Sequence, residues 1–184
     1  NGEDSTAVLN GFTLTGGTGT GAAGNSWTVG GGGIYIDNSS PRLTNLLITN
    51  NEIIHNVASG AGIYSEGSGH PTLYNVIISD NVADGTSGCN GGGIYSASDM
   101  DFQDVVIIGN TSCYGAGIFL TSGVAAYLTN VLIADNIDGN YSNALFFQAS
   151  PEVHIINSTI VGNSGSGLIH DDGGSSIYIF NSIF

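Results

Sequence analysis

The side chains best suited to catalysis lie in one short segment. His170, Asp171 and Asp172 are consecutive, and two glycines follow them. A His beside paired Asp residues can supply general acid–base catalysis for polysaccharide cleavage. Cleavage of an acidic polysaccharide also needs a cation against the uronate, but the chain has no Lys and its single Arg, Arg42, lies several repeats away. The sequence therefore favours a polar turn, with a polysaccharide-degrading site as the alternative.

A second group of carboxylates is compatible with calcium. Asp99 and Asp101 alternate, so a strand would place both on the same side. Neighbouring carboxylates repel each other unless a cation or hydrogen bond intervenes, and calcium prefers oxygen ligands. The sequence has neither the EF-hand spacing nor the glycine-rich calcium repeat. We expect no obligatory cofactor, and we keep a calcium site at Asp99 and Asp101 as the alternative to solvated acids.

The charge balance excludes two classes of partner. Fifteen acidic residues face one basic residue, which gives a net charge of −14. Binding to nucleic acid or to an anionic membrane surface requires Lys and Arg to neutralise phosphates. The chain also has no apolar run long enough to span a bilayer as a helix. We therefore predict no nucleic-acid partner and no membrane insertion by this segment.

The candidate catalytic and calcium-binding residues lie within a repeat that recurs along the chain. A small-residue segment ending in Ile and an aromatic residue, such as Gly31 to Tyr35, precedes a segment of the form apolar-x-Asn-x-x-Ile-x-x-Asn, such as Leu43 to Asn51. The first Asn of the second segment, or the Asp that replaces it, is taken as the origin of each repeat. The origins are Asn10, Asn45, Asn75, Asp104, Asn130, Asn157 and Asn181, which are 24 to 35 residues apart. A period of this size indicates a solenoid.

The apolar runs within each repeat are short and rich in Val and Ile, and Gly, Asn, Asp and Ser interrupt them, which is typical of strands and turns. The sequence therefore predicts one all-β domain over residues 1–184, a parallel β-helix of about six coils. We expect residues 16–30 to form a Gly/Thr-rich loop within the first coil. Both ends fall within coil strands, so we expect uncapped ends that can stack on other copies.

Three positions of the repeat carry specific expectations. The Asn six residues after each origin can tolerate the left-handed conformation at a bend, and its amide can hydrogen-bond to the Asn one coil away, as in stacked amide ladders. The aromatic residues after the inward-facing Ile should point outward, where they either stabilise the coil or offer a platform for sugar rings. These residues are Tyr35, Tyr64, Tyr95 and Phe119, and Phe146 continues the series.

The residues two after each origin form the third position, and they are expected to point outward although nearly all are apolar. They are Phe12, Leu47, Ile77, Val106, Leu132, Thr159 and Ile183. We call this row the apolar ridge. A long exposed apolar row usually marks an interface. The alternative is that the loop at 16–30 folds back over part of it.

The two cysteines occupy equivalent positions on neighbouring coils. Cys89 lies five residues before Ile94, and Cys113 lies five before Ile118. Coils stack at ~4.8 Å, and a disulfide requires Cα atoms ~4.4–6.8 Å apart. We therefore predict a Cys89–Cys113 disulfide, which favours a secreted or cell-surface location over the reducing cytosol.

The repeat resembles that of the polymorphic outer-membrane-protein type, among the right-handed parallel β-helix repeat proteins of bacterial surfaces. The resemblance rests on the Gly-Gly-Gly-Ile or Gly-Ala-Gly-Ile tetrads and on the tetrads Ile48-x-x-Asn51 and Ile78-x-x-Asn81 and their counterparts. It covers residues 8–184 and implies a right-handed coil and an extracellular setting, without implying a reaction.

Together these features predict an extracellular structural or adhesive β-solenoid without catalysis, which associates with other copies end to end or laterally. A carbohydrate-binding or polysaccharide-degrading β-helix is the alternative.

Overall fold

The computed structural model describes residues 2–22, 25–121, 123–139, 143–164 and 167–184. These ranges form strands, turns and bends arranged in three sheets. Nothing in the described ranges is a helix long and apolar enough to cross a membrane.

Strands are numbered along the chain, and the largest sheet, sheet A, has ten of them. They are β1 Val8–Asn10, β2 Thr13–Leu14, β6 Arg42–Thr49, β9 Thr72–Ser79, β12 Met100–Ile108, β15 Ala125–Thr129, β16 Leu132–Ala134, β19 Glu152–Ile156, β20 Thr159–Val161 and β22 Ser176–Phe180.

Sheets B and C have six strands each. Sheet B contains β3 Thr20–Ala22, β4 Asn25–Gly30, β7 Glu52–Ser59, β10 Val82–Asn90, β13 Thr111–Ser112 and β17 Ile137–Asp138. Sheet C contains β5 Ile34–Asp37, β8 Ile63–Glu66, β11 Ile94–Ala97, β14 Ile118–Leu120, β18 Asn143–Phe147 and β21 Gly167–Asp171.

The chain passes through sheets A, B and C in turn, and each strand pairs in parallel with its counterparts on the neighbouring coils. This confirms the all-β parallel solenoid. The coils that start at β6, β9, β12 and β15 contribute a strand to every sheet without an insertion. The coil before them contains a hairpin, and the described residues of the coil after them join sheet B through the bridge between Ile137 and Ser164. The regular part is therefore somewhat shorter than the six coils predicted.

The segment predicted as a loop at 16–30 forms a hairpin in its described part. Strand β3 pairs antiparallel with β4, and β4 continues sheet B by pairing with β7. Strand β4 contains Trp27, Thr28 and Val29 in succession, and aromatic and β-branched residues are enriched in strands. In its described residues the segment extends sheet B and does not cover the apolar ridge on sheet A.

The first coil is shifted by one residue from the register that its Asn predicted. Leu9 pairs with Leu43, and Thr13 pairs with Leu47. Gly11 therefore occupies the origin, with a φ of 78°. Glycine enters the left-handed region more easily than Asn does, so aligning on Asn10 gave the wrong register. Thr13, not Phe12, is the member of the apolar ridge in this coil.

The bends lie beside the predicted positions. Positive φ values occur at the origins, such as Asn45 at 52° and Asn75 at 52°, and five residues later, such as Asp80 at 54°. The Asn six after the origin does not use the left-handed conformation that it could tolerate. The neighbour before it makes the bend, which turns the Asn side chain into the coil.

The predicted amide ladder is confirmed. The Nδ2 group of each of these Asn residues donates to Oδ1 of its counterpart on the next coil, from Asn51 to Asn81 at 2.8 Å and onward to Asn110, Asn136 and Asn163 at 2.9–3.0 Å. The same Oδ1 also accepts the backbone N–H of the preceding Asn, as from Asn51 to Asn81 at 3.1 Å. A second bond from Nδ2 reaches a main-chain carbonyl, such as that of Ile48 from Asn81 at 3.0 Å.

Apolar side chains fill the space inside the coils. Those two before, one after and three after the origin all point inward, because the left-handed origin shifts the alternation of the strand by one. Examples are Leu43, Leu46 and Ile48 on β6 and Leu73, Val76 and Ile78 on β9. The residue between the last two positions, such as Leu47, points outward. The ridge is therefore a direct result of the bend at the origin.

Replacing Asn110 tests the energetic weight of the buried ladder. Asn110 accepts two bonds from Asn81 and donates to Ile78 O and Asn136 Oδ1. An Asn110→Leu variant leaves these groups unpaired, so its free energy of unfolding should fall by about 3–5 kcal/mol in urea titrations. The control Asn130→Gly keeps the left-handed conformation and loses one exposed bond to Asp104, and it should cost less than about 1 kcal/mol. Equal losses would contradict the assigned role.

Candidate functional site

The aromatic residues of sheet C form a continuous stack inside a cleft. Ring centroids lie 5.2 Å apart for Tyr35 and Tyr64, 4.8 Å for Tyr64 and Tyr95, and 4.9 Å for Phe119 and Phe146. The rings are nearly parallel, so each covers the faces of its neighbours. Tyr64 is only 5% exposed. This arrangement favours the coil-stabilising interpretation over a platform for sugar rings.

Sheet B covers this stack from outside. A Cβ on Gly30 would lie 2.5 Å from the Tyr64 ring, so glycine allows β4 to pass closely over the aromatic residue. On a later coil the ring of Tyr114 meets the face of Phe146 at 5.4 Å with an interplanar angle of 84°. The aromatic residues point outward from sheet C, but they are buried or half-buried because sheet B packs over them.

The phenol groups at one end of the stack share a carboxylate. Tyr64 Oη donates to Glu66 Oε2 at 3.1 Å, and the Tyr35 hydroxyl donates to the other oxygen of Glu66. Burial raises the pKa of Tyr64 far above its ordinary value, and the adjacent Tyr95 and Glu66 raise it further. Burial, with a smaller effect of Glu66, also raises the pKa of Tyr95.

His170, Asp171 and Asp172 have different contacts, and no hydrogen bond joins them in the described part of the chain. The His170 ring is the last member of the sheet C stack, 4.6 Å from Phe146. Asp171 accepts bonds from Ser175 Oγ at 2.5 Å and Gly173 N at 3.1 Å, and these bonds hold its pKa below the usual value. A carboxyl group that stays ionised is poorly suited to be a general acid. Asp172 lines a groove with Phe119 and Phe146, the second of which is also the ring on which His170 stacks.

The calcium candidates are also separated by their contacts. Asp99 Oδ1 accepts the backbone N–H of Ala125 on the next coil at 2.7 Å. Asp101 Oδ1 lies 3.1 Å from His70 Nε2. Across the described ranges, no three His, Cys, Asp or Glu side chains are grouped in a way that could hold a metal ion. Calcium binding at Asp99 and Asp101 stays a prediction.

The predicted disulfide is present. Cys89 and Cys113 are bonded, and their Cα atoms lie 5.0 Å apart. The Cys113 N–H also donates to Cys89 O at 3.1 Å, as expected for neighbouring coils. The disulfide joins β10 to the bend after β13. The strand of sheet B is nine residues long in β10 and two residues long in β13.

The apolar ridge lies on the outer surface of sheet A. The paired positions run from Thr13 through Leu47, Ile77 and Val106 to Leu132, then to Thr159 and Ile183. Ile77 is 44% exposed. The ridge remains outward-facing along its whole length.

Two hollows lie beside the ridge, one after the other along the solenoid, and together we call them the groove. Its other wall consists of the exposed origin residues, whose amides also form a ladder, such as Asn75 Nδ2 to Asn45 Oδ1 at 2.7 Å. One section, of about 270 Å³, is bordered by Leu47 and Ile77, and another, of about 380 Å³, by Val106 and Leu132. A hydrogen-bonding wall and an apolar wall therefore face each other.

A second surface on sheet A was not predicted. Tyr127, His154 and Tyr178 pair across β15, β19 and β22, and their rings stack with centroids 4.6 Å apart. They stand three residues before their origins, where earlier coils carry Arg42, Thr72 and Asp101. Reading this column of the repeat would have found the stack, because the three rings occupy consecutive coils.

The geometry defines a parallel β-solenoid whose distinctive features lie on its outward-facing columns. The family model described as the right handed beta helix region matches residues 10–184. The chain therefore belongs to the right-handed β-helix family. Comparison with curated proteins and with solved structures gives no significant match. Membership establishes the repeat type and the fold.

Alkaline unfolding tests the buried phenols. The folded chain retains protons at Tyr64 and Tyr95 that the unfolded chain releases above pH ~10. Because the unfolded state then binds fewer protons, the free energy of unfolding should fall as pH rises above that value. Urea titrations from pH 8 to pH 11 should show a smaller fall for Tyr64→Phe than for the parent. The exposed substitution Tyr74→Phe controls for loss of a hydroxyl, and an equal fall in all three proteins would contradict the assignment.

Proposed function

We propose that the protein is an extracellular, non-catalytic β-solenoid that associates laterally with other copies through the apolar ridge. The observation that carries this proposal is the outward orientation of Leu47, Ile77, Val106 and Leu132 on a regular sheet. A solvated column at this position would favour Thr or Ser. The retention of branched apolar side chains over four consecutive coils supports an interface.

A second copy fits this surface for a geometric reason. Each chain carries both the ridge and the adjacent groove, in parallel and with the same axial spacing. A two-fold axis parallel to the solenoid, midway between ridge and groove, would place the ridge of one copy in the groove of the other, which is a closed, isologous contact. The amides of Asn45 and Asn75 on the groove wall would then face the partner's strand.

The charge of the chain opposes this association. Two copies with a net charge of −14 each repel one another, and salt screens such repulsion over ~10 Å at 0.1 M. The ridge itself carries no charged residue, and Asp104 on the groove wall is an acidic group whose repulsion salt also screens. We therefore expect a moderate affinity between two copies, and this affinity should rise with ionic strength.

The Cys89–Cys113 disulfide supports an extracellular location, because such bonds persist in oxidising compartments. A stiff, repetitive rod with a disulfide suits a structural or adhesive role. End-to-end stacking of coils stays a prediction.

Charge substitution on the ridge tests the proposal. The variant Ile77→Lys/Leu132→Lys would bury unpaired ammonium groups in the contact, so its dimer dissociation constant should rise more than about tenfold. Sedimentation velocity in ~0.5 M salt, where the Debye length is well below 10 Å, measures this directly.

The control is Ile54→Lys on sheet B, since Ile54 is 71% exposed but lies outside the ridge. It should associate as the parent does. A parent that stays monomeric at millimolar concentration, or equal weakening by the control, would overturn the proposal.

A further inference from the structure

The exposed aromatic stack of sheet A ends abruptly at a carboxylate. Tyr178, His154 and Tyr127 occupy one column on consecutive coils, and the next member of that column is Asp101. The short side chain leaves space where a further ring would stand. The resulting cavity of about 500 Å³ is lined by His70, Asp101, Phe102, Gln103, Tyr127 and Thr129.

The Tyr127 ring presents one face to this cavity. Its other face stacks on His154 at 4.6 Å, and among the described residues no further ring stacks on it. Tyr127 is 39% exposed. A planar group entering the cavity could therefore continue the stack at the spacing of the coils, ~4.8 Å.

Asp101 supplies a carboxylate at the same level as the missing ring. His70 Nε2 holds its Oδ1 at 3.1 Å, which fixes the orientation of the carboxylate. Within the described part of the chain, Oδ2 has no hydrogen-bond partner. The Gln103 amide and the Thr129 hydroxyl add neutral polar groups to the wall.

We propose that this cavity binds the guanidinium group of an arginine side chain from a basic partner protein. A guanidinium is flat, stacks on an aromatic face and donates two parallel hydrogen bonds to a carboxylate. Tyr127 would provide the face and Asp101 the edge. A lysine ammonium lacks the flat shape and the paired donors.

The wider field of the protein favours the same ligand. The net charge of −14 attracts basic partners. Arg42, the single basic side chain among Lys and Arg, shares the column with Asp101 but is two coils away, ~10 Å at the coil spacing. At that separation salt screens most of its repulsion. The site lies on a different column from the apolar ridge, so it adds a second kind of partner.

An NMR titration with N-acetyl-arginine-N-methylamide tests this site. The Tyr127 ring protons and the backbone amides of Asp101 and Gln103 should shift in a saturable way. N-acetyl-lysine-N-methylamide should bind at least about threefold more weakly. Asp101→Asn should weaken arginine binding about tenfold, and Tyr127→Ala about fivefold.

Two matched controls distinguish binding in this cavity from general attraction by the negative charge of the protein and from an effect of the whole aromatic stack. Asp84→Asn removes an exposed charge from sheet B, and Tyr178→Ala removes the ring at the far end of the stack. Both should leave the affinity within about twofold, since neither residue lines the cavity.

Three results would overturn the proposal. The first is the absence of saturable shifts, and the second is equal weakening by Asp84→Asn and Asp101→Asn. The third is a shift at Tyr127 with methyl glucoside but not with the arginine derivative, which would make the cavity a sugar subsite. Repeating the titration on Ile77→Lys/Leu132→Lys keeps this outcome independent of lateral association.

Discussion

The structure depends on hydrogen bonding by asparagine at the turn between sheets A and B. A turn inside a solenoid buries backbone N–H and C=O groups that no strand partner can reach, and leaving them unpaired is costly. Asn81, Asn110 and Asn136 solve this on each coil, because one amide bonds the coil before, the coil after and a main-chain carbonyl. Asn recurs at this position because each coil has the same buried turn with the same backbone groups to satisfy.

Once the ladder fixes the turns, the alternation of each strand is fixed as well. The left-handed origin places Leu46 and Ile48 inside, and it leaves Leu47 outside. Inward columns then carry the stability, while outward columns are free to differ between proteins that share the fold. The apolar ridge and the stack ending at Tyr127 are two such outward columns, which is why they, and not the core, carry the proposed interactions.

Much of this was predictable from the sequence, since the repeat fixes the solenoid, the Asn ladder and the pairing of Cys89 with Cys113. The register of the first coil could not be predicted, because Gly11 can replace Asn at a bend without leaving a recognisable motif. The burial of Tyr64 could not be predicted either, because alternation within one strand does not reveal that another sheet covers it. The sequence indicated Asp101 as a calcium candidate. Its position beside Tyr127 depends on how neighbouring coils stack, so only the structure gives it.

In the proposed association, the apolar ridge is the surface on which copies meet. Methyl NMR spectra recorded over a range of protein concentrations, with Ile, Leu and Val methyl groups labelled, test it most directly. Signals of Ile77 and Leu132 should shift with concentration, while those of the buried Leu73 and Ile78 should stay fixed. Shifts confined to sheets B and C, or no shifts at any concentration, would contradict it.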